Sequence, residues 1–219
     1  MKMIKVKQSG LKLLAGFLTT AALLSGIGGA QPGQARALAA PAAPYKIATF
    51  AGGCFWSIEG VYDDLPGVVS ATSGYSGGSQ ADPSYDQVSS GGTGHAESVR
   101  VVYDPKKVSF QKLLDVYWHQ INPTQRNGQF YDEGSQYRTI VFYHNDEQKR
   151  LAMASKASLE KSHRFKAPIV TAIQPASPFY AAEEHHQNYA HLHRDHYMAY
   201  RVGSGRDAFF KSVWGSSAH

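Results

Sequence analysis

From residue 46 onward the chain alternates between two-residue and three-to-four-residue spacing of its apolar positions, and Gly, Pro and Asn punctuate the changes. KIATFAGG (46–53) reads as a short strand closed by glycines. CFWSIEGVYDDLPG (54–67) reads as a helix stopped by Pro66 and Gly67. Within it Phe55, Ile58, Tyr62 and Leu65 share the face that packs on a sheet. VVSATSGYSGG (68–78) is a strand running into a Gly/Ser loop, which continues through SQADPSYDQVSSGGTGH (79–95). AESVRVVYDP (96–105) alternates cleanly and predicts a strand ended at Asp104-Pro105. SFQKLLDVYWHQI (109–121) carries Phe110, Leu113, Leu114, Tyr117 and Trp118 at helical spacing, with Ser109 as N-cap. YRTIVFYH (137–144) predicts a strand, NDEQKRLAMASKASLEKS (145–162) a helix capped by Asn or Asp, and PIVTAIQP (168–175) a further strand. The His-rich AAEEHHQNYAHLHRDH (181–196) predicts a helix, and no internal repeat or heptad run is present. Strands alternating with helices in this order imply an α+β fold, a sheet with helices packed on it.

The first forty residues follow another pattern. Lys2, Lys5, Lys7 and Lys12 precede an apolar stretch from about Leu13 to Ile27, then small residues with cleavage-type sites after Ala30, Ala37 and Ala39. This is the layout of a secretory signal peptide. The alternative, an uncleaved membrane anchor, needs ~20 apolar residues, and the stretch is shorter. Residues 31–45 form a Pro/Ala linker, with order expected from near Tyr45. Residues 1–39 are assigned to signal peptide and linker and 40–219 to one domain, exported and most plausibly periplasmic, with an extracellular or organelle-lumen destination as the alternative. No stable membrane anchor is expected after cleavage, and a monomer is expected. The leader also changes the charge balance. Five of the 22 Lys and Arg lie before residue 40, so the remainder has 17 cations against 17 acids. The basic pI therefore gives no argument for nucleic acid, and no basic stripe with interleaved aromatics supports one.

Cys54 is the only cysteine, so no internal disulfide forms. A lone cysteine is buried and inert, paired to another chain, or reactive. The sequence places Cys54 in the first turn of a helix, where backbone N–H groups and the helix dipole favour a thiolate. Gly52 and Gly53 leave room for close approach to the sulfur, or simply form a tight turn. Trp56 lies off the apolar stripe, gains no apolar partner along the helix, and is expected unpacked near the thiol, at the surface or in a cleft; Phe55 is either core or pocket wall. On the strand, Glu97 shares a face with Val99, Val101 and Tyr103. Buried there, its pKa would rise and make it a proton donor; at the strand's start it could instead reach solvent. A thiolate beside a protonated carboxyl suits attack on a sulfoxide sulfur, whose departing oxygen must be protonated. Acyl transfer would want a His base and an oxyanion hole, and no His is placed near Cys54, His95 being the nearest by motif.

The motifs GGCFWSIE, GYSGG with DPSYDQV, TGHAESVRVVYDP, YDEGSQYRTIVFY and FYAAEEHHQNY, in this order, closely resemble the peptide methionine sulfoxide reductase A family over about residues 46–200. The resemblance implies a two-layer α+β sandwich around a ferredoxin-like core. It implies that Cys54 is the nucleophile, left as a sulfenic acid when methionine is released, and that Phe55 and Trp56 hold the S-methyl group. It further implies that Glu97 protonates the sulfoxide oxygen, that Tyr85 and Tyr137 hydrogen-bond that oxygen, and that Asp132 lies near the substrate backbone. The S epimer is the implied substrate, free or in oxidised proteins and peptides, with no metal or organic cofactor. Many members carry resolving cysteines downstream, whereas here Val88 follows YDQ and the tail has none. Recycling would then need an external thiol, thioredoxin-like or small. Tyr131 stands where an Asn commonly precedes the Asp. Two rivals of other classes are a metal module built on His185, His186, His191, His193 and His196, and a noncatalytic binder of oxidised peptides.

Overall fold

A computed structural model describes residues 38–215; the expected signal peptide lies outside the described residues. Strand β1 (Lys46–Gly52) leads through the Gly53–Cys54 turn into helix α1 (Phe55–Asp63). Strand β2 (Val68–Ser76), the short helix α2 (Tyr85–Ser89) and strand β3 (Ala96–Tyr103) follow. Helix α3 (Phe110–Trp118) precedes a small hairpin of β4 (Gly128–Gln129) and β5 (Asp132–Glu133), a 3-10 turn at Ser135–Tyr137 and strand β6 (Thr139–Tyr143). Helix α4 (Asp146–Lys161), strands β7 (Ala172–Pro175) and β8 (Tyr180–Ala181), a 3-10 turn at Glu184–His186 and helices α5 (Tyr189–Leu192), α6 (Arg194–Gly203) and α7 (Arg206–Trp214) complete the chain.

The main sheet has the order β7-β6-β1-β3-β2-β8. β1 pairs antiparallel with β3 and β6, β2 antiparallel with β3, and β7 parallel with β6. The α+β expectation therefore holds, and the central order β6-β1-β3-β2 is compatible with a ferredoxin-like core. Ile58 and Tyr62 of α1, Leu113, Leu114 and Tyr117 of α3 and Ala152 of α4 join Phe50, Val99, Val101 and Val141 of the sheet in one core. Those helices thus share one face of the sheet. Phe50 is at its centre, stacked on Tyr62 at 5.3 Å and Tyr117 at 5.1 Å between ring centres. The two buried phenols donate to main-chain carbonyls, Tyr62 to Leu113 at 2.8 Å and Tyr117 to Ala51 at 2.7 Å, so their burial leaves no polar group stranded.

Three expectations change. The His-rich stretch is not one helix: Asn188, at φ 53°, breaks it into a 3-10 turn and the short α5 before α6 begins. The loop before β3 holds α2, started by a reciprocal cap between Ser84 and Gln87. Order also begins before Tyr45. Leu38 N–H donates to the Phe179 carbonyl at 3.1 Å, and Arg100, on the sheet face opposite the helices, donates to the Ala39 carbonyl.

Candidate active site

The site lies where β1 stops. Gly53 takes φ 85°, a conformation that favours glycine, and Cys54 follows as the N-cap of α1. The two glycines do not clear a path for a ligand, contrary to one sequence reading. A Cβ on Gly52 would meet Ile121 Cγ2 at 2.7 Å, and one on Gly53 would meet Gln129 Cβ at 2.6 Å and Arg206 Nη2 at 3.2 Å. They let the turn sit against α3's outgoing loop, the β4–β5 hairpin and α7.

Cys54 is only 7% exposed. Glu97 is 2% exposed, which removes the reading that it reaches solvent. Its Oε2 accepts the N–H of Phe55, the residue after Cys54, at 3.0 Å. Thiol and carboxyl therefore meet at one helix start. Burial drives the Glu97 pKa up to about 8, with the Phe55 N–H opposing and the negative charge of Asp132 reinforcing the rise. At neutral pH Glu97 is mostly a neutral acid.

The cysteine itself departs from the sequence expectation. Its pKa is raised well above the ordinary thiol value, first by burial, then by the charges of Glu97 and Asp132; Arg206 and the Trp56 N–H oppose the rise. The helix start favours a thiolate, as expected, but a dry pocket with two carboxyls outweighs it. The resting group is a thiol.

Around this pair the structure brings together Phe55, Trp56, Tyr85, Asp132 and Tyr137. Tyr85 begins α2, and its backbone N–H donates to Glu183 Oε1 at 2.9 Å. Its phenol is pushed up to about 12, by burial and then by Glu97 and Cys54. Tyr137, in the 3-10 turn before β6, is raised by burial and by the same charges, which places both phenols in the field of the Cys54–Glu97 pair as protonated donors. Asp132 of β5 accepts from Tyr200 Oη at 2.5 Å and lies 3.8 Å from Arg206 Nη2; burial raises its pKa, and both partners oppose that.

Phe55 is core and wall at once: fully buried, its ring lies 6.0 Å from Tyr75 and 5.3 Å from His186. Trp56 is not unpacked, as its position off the stripe suggested. It stacks on Tyr189 at 3.8 Å, with the Tyr200 ring edge-on at 6.2 Å. An off-stripe residue on α1 finds partners because the C-terminal helices fold back over the helix start. His186, held 4.4 Å from the Tyr85 ring, has its pKa lowered to about 4 by burial, so it is a neutral ring in this box. Its place in EEHHQNY belongs to the packing of the aromatic pocket. His191 faces Asp64 and His196 bonds the Tyr189 phenol, and among the described residues no three His, Cys, Asp or Glu side chains gather as a metal site. His95 is no base for Cys54: its Nδ1 accepts from Gly78 N–H at 3.2 Å and its Nε2 meets the Gln80 carbonyl at 2.8 Å.

Sequence reasoning missed Glu183, Tyr189, Tyr200 and Arg206 as parts of the site. Tyr197, Tyr200 and Arg201 recur at helical spacing, a signal of a packed face that could have drawn attention to α6. Nothing in the sequence around Arg206 shows that its guanidinium is completely buried.

A family model described as "Peptide methionine sulfoxide reductase" matches residues 46–218. The chain is 49% identical over 170 residues to a Bacillus licheniformis "Peptide methionine sulfoxide reductase MsrA", covering 78% of this chain and 94% of that one. A Listeria monocytogenes protein of the same name is 49% identical over 167 residues, covering 76% and 94%. Among solved structures, Mxr1 from Saccharomyces cerevisiae in reduced form superimposes with a TM-score of 0.66 at 32% identity, covering 71% of this chain and 90% of that one. Methionine sulfoxide reductase A of Corynebacterium diphtheriae gives 0.63 at 29%, covering 70% and 77%. A buried thiol and a neutral carboxyl at one helix start, walled by aromatics, thus coincide with a match across nearly the whole described domain: the chain belongs to the peptide methionine sulfoxide reductase A family and is an oxidoreductase that reduces methionine sulfoxide.

Proposed function

We propose that Cys54 and Glu97 carry the reaction, on the S epimer of methionine sulfoxide in oxidised proteins and peptides. The observation behind this reading is the Phe55 N–H to Glu97 hydrogen bond, which fixes a carboxyl of pKa about 8 beside the sulfur. Cys54 sulfur attacks the sulfoxide sulfur while Glu97 gives its proton to the oxygen. An S–S bond joins Cys54 to the substrate sulfur as the S–O bond breaks, and the oxygen, which also takes the thiol proton of Cys54, leaves as water. A water then attacks the Cys54 sulfur and breaks the S–S bond, so that methionine leaves with two more electrons, Cys54 is left as a sulfenic acid, and the proton the water gives up returns to Glu97. Tyr85 and Tyr137 donate to the same oxygen as its charge develops. Phe55 and Trp56 take the S-methyl group, and Asp132 meets the backbone of the substrate.

With one cysteine in the chain, the sulfenic acid has no internal thiol to meet. Two external thiols, on a thioredoxin-like protein or a small molecule, then reduce it, with release of water and a disulfide. The lysine-rich apolar leader supports an exported, periplasmic enzyme, and cell fractionation tests that placement.

The functional test incubates the full chain and its Cys54→Ser variant with separated S and R epimers of a methionine sulfoxide peptide and excess dithiothreitol. Loss of the S epimer alone, abolished in the variant, supports the assignment. Turnover by Cys54→Ser, or reduction of the R epimer, overturns it.

A further inference from the structure

We propose that Arg206 is a positioning residue of this site: its fixed positive charge, held beneath the Gly52–Cys54 turn, is what allows a buried Cys54 to become a thiolate next to Asp132. The inference rests on the reading of Cys54 as nucleophile.

The first residue of α7, Arg206 is 0% exposed. An arginine carries its charge at any working pH, and burying one without a function of its own is costly. Its partners inside the protein are few. Nη1 donates to the Gln120 carbonyl at 3.2 Å, and the guanidinium lies 4.5 Å over the Phe130 ring. Nη2 is 3.8 Å from Asp132, beyond hydrogen-bond reach, and Nε and Nη2 have no hydrogen-bond partner among the described residues. Nη2 is also the atom that a Cβ on Gly53, the residue before Cys54, would approach to 3.2 Å. The unspent donor therefore lies between the turn that carries the sulfur and the carboxylate that repels a thiolate.

The other groups facing Cys54 do not supply a positive charge. Glu97 from β3 and Asp132 from β5 are acids that disfavour the thiolate. Tyr85 from α2, Tyr137 from the turn before β6 and Tyr200 from α6 are phenols held protonated. His186, against Phe55 and Tyr85, is neutral with its pKa near 4. Arg206 alone among these offsets by charge the cost of burying a thiolate. It acts on Asp132 in the same sense, favouring the carboxylate.

The arrangement has a clear consequence for the reaction. The sulfur rests as a thiol, stable against adventitious oxidants, yet a cation at fixed distance limits the cost of ionising it when substrate excludes the last water.

The test measures the rate at which iodoacetamide alkylates Cys54 between pH 6 and 11 in the full chain, for wild type, Arg206→Met, Arg206→Gln and Arg206→Lys, together with kcat and KM at pH 7. An opposite charge within ~4–6 Å moves a carboxyl or thiol pKa by about 1–3. At any given pH below its midpoint the alkylation rate is expected to fall ~10-fold or more in the neutral variants, with kcat down ~10-fold or more and KM little changed. Arg206→Lys, which keeps the charge but not the fork, is expected to restore most of both. Thermal melts establish which variants fold. Arg206→Gln, which keeps a donor for the Gln120 carbonyl, carries the comparison if Arg206→Met does not fold. A folded neutral variant with the wild-type alkylation rate across this range overturns the proposal, as does an Arg206→Lys variant slowed as far as the neutral ones, since that outcome assigns Arg206 to packing alone. Alkylation reads the thiol without any sulfoxide, so failure here is distinguishable from failure of Cys54 as nucleophile, which the Cys54→Ser assay reads.

Discussion

Two glutamates flank helix α1, and burial acts on both in the same direction. Glu59, on the helix, is pushed up to about 7; Glu97, on β3, to about 8. Each accepts one backbone N–H at 3.0 Å, Glu59 from Asn188 and Glu97 from Phe55. What separates them is the neighbour beyond the hydrogen bond. The N–H that Glu97 holds belongs to the residue after the cysteine, so its carboxyl is tied to the turn that carries Cys54. The N–H that Glu59 holds belongs to the left-handed Asn188, so its carboxyl fixes the bend where the C-terminal helices fold back over the aromatic pocket. A raised carboxyl pKa is therefore no signature of catalysis on its own. Position relative to a nucleophile decides.

The sharpest way to break this comparison is to neutralise each carboxyl. Glu97→Gln keeps the acceptor for Phe55 N–H but has no proton to give, and is expected to lower kcat by ~10²–10⁴, the range for a positioned general acid. Glu59→Gln is expected to leave kcat within about threefold, because the Asn188 contact survives and no proton is transferred there. Steady-state rates on an S-sulfoxide peptide check both; equal losses would mean that the two carboxyls do not differ in role. A smaller effect is expected from the phenols. Tyr85→Phe and Tyr137→Phe each remove one of two donors to the same oxygen, costing ~10-fold singly and more than the product of the two when combined.

How far the sequence anticipated this contrast depends on which direction of space is asked about. Strand alternation placed Glu97 on the face of Val99 and Val101, and the face is right, because period two is a local property of the chain. Its depth was not legible. Ser98 and Arg100 on the opposite face are buried as well, since residues 38 and 39 cross there to meet Phe179 and Arg100. Glu59 carries no signal of burial in the sequence, because its partner Asn188 lies more than a hundred residues away. The helix start at Cys54 was legible, but the sign of its pKa shift was not: that sign is set first by burial and then by Glu97 and Asp132, against the opposing charge of Arg206, and only the tertiary fold brings these to the sulfur. The outer helices α6 and α7 supply Tyr200 and Arg206; the Tyr197, Tyr200 and Arg201 spacing marks a packed face on α6, but nothing around Arg206 marks its burial, and so that wall of the site stayed hidden.

The pH dependence sharpens the comparison on the catalytic side. Glu97 must keep its proton and Cys54 must lose its own, so the rising limb of kcat is expected to level off near pH 8, and Glu97→Gln is expected to lose that break along with most of its rate. Glu59→Gln is expected to keep it. A pH–rate profile of kcat from 6 to 10 measures the break, and a break unchanged in Glu97→Gln would assign it to another group.

The smallest expected effect is on stability, and there the two glutamates behave alike. Both folded-state pKa values lie above the ordinary 4.5, so the native state holds these protons more tightly than the unfolded chain. Their contribution to stability is complete below about 4.5 and is lost as pH rises through about 7 for Glu59 and about 8 for Glu97. The urea midpoint is therefore expected to drop between pH 5 and pH 9. Glu59→Gln removes one of the two titrating groups while keeping the acceptor for Asn188. It is expected to change the unfolding free energy at pH 5 by no more than about 1 kcal/mol, the scale of one hydrogen bond, and to be the more stable protein at pH 9, where wild type buries a carboxylate. If the variant instead loses stability equally at both pH values, the Asn188 contact requires the ionised carboxylate. Glu59 would then be an anion that pins the bend, and the likeness between the two buried acids would end at their burial.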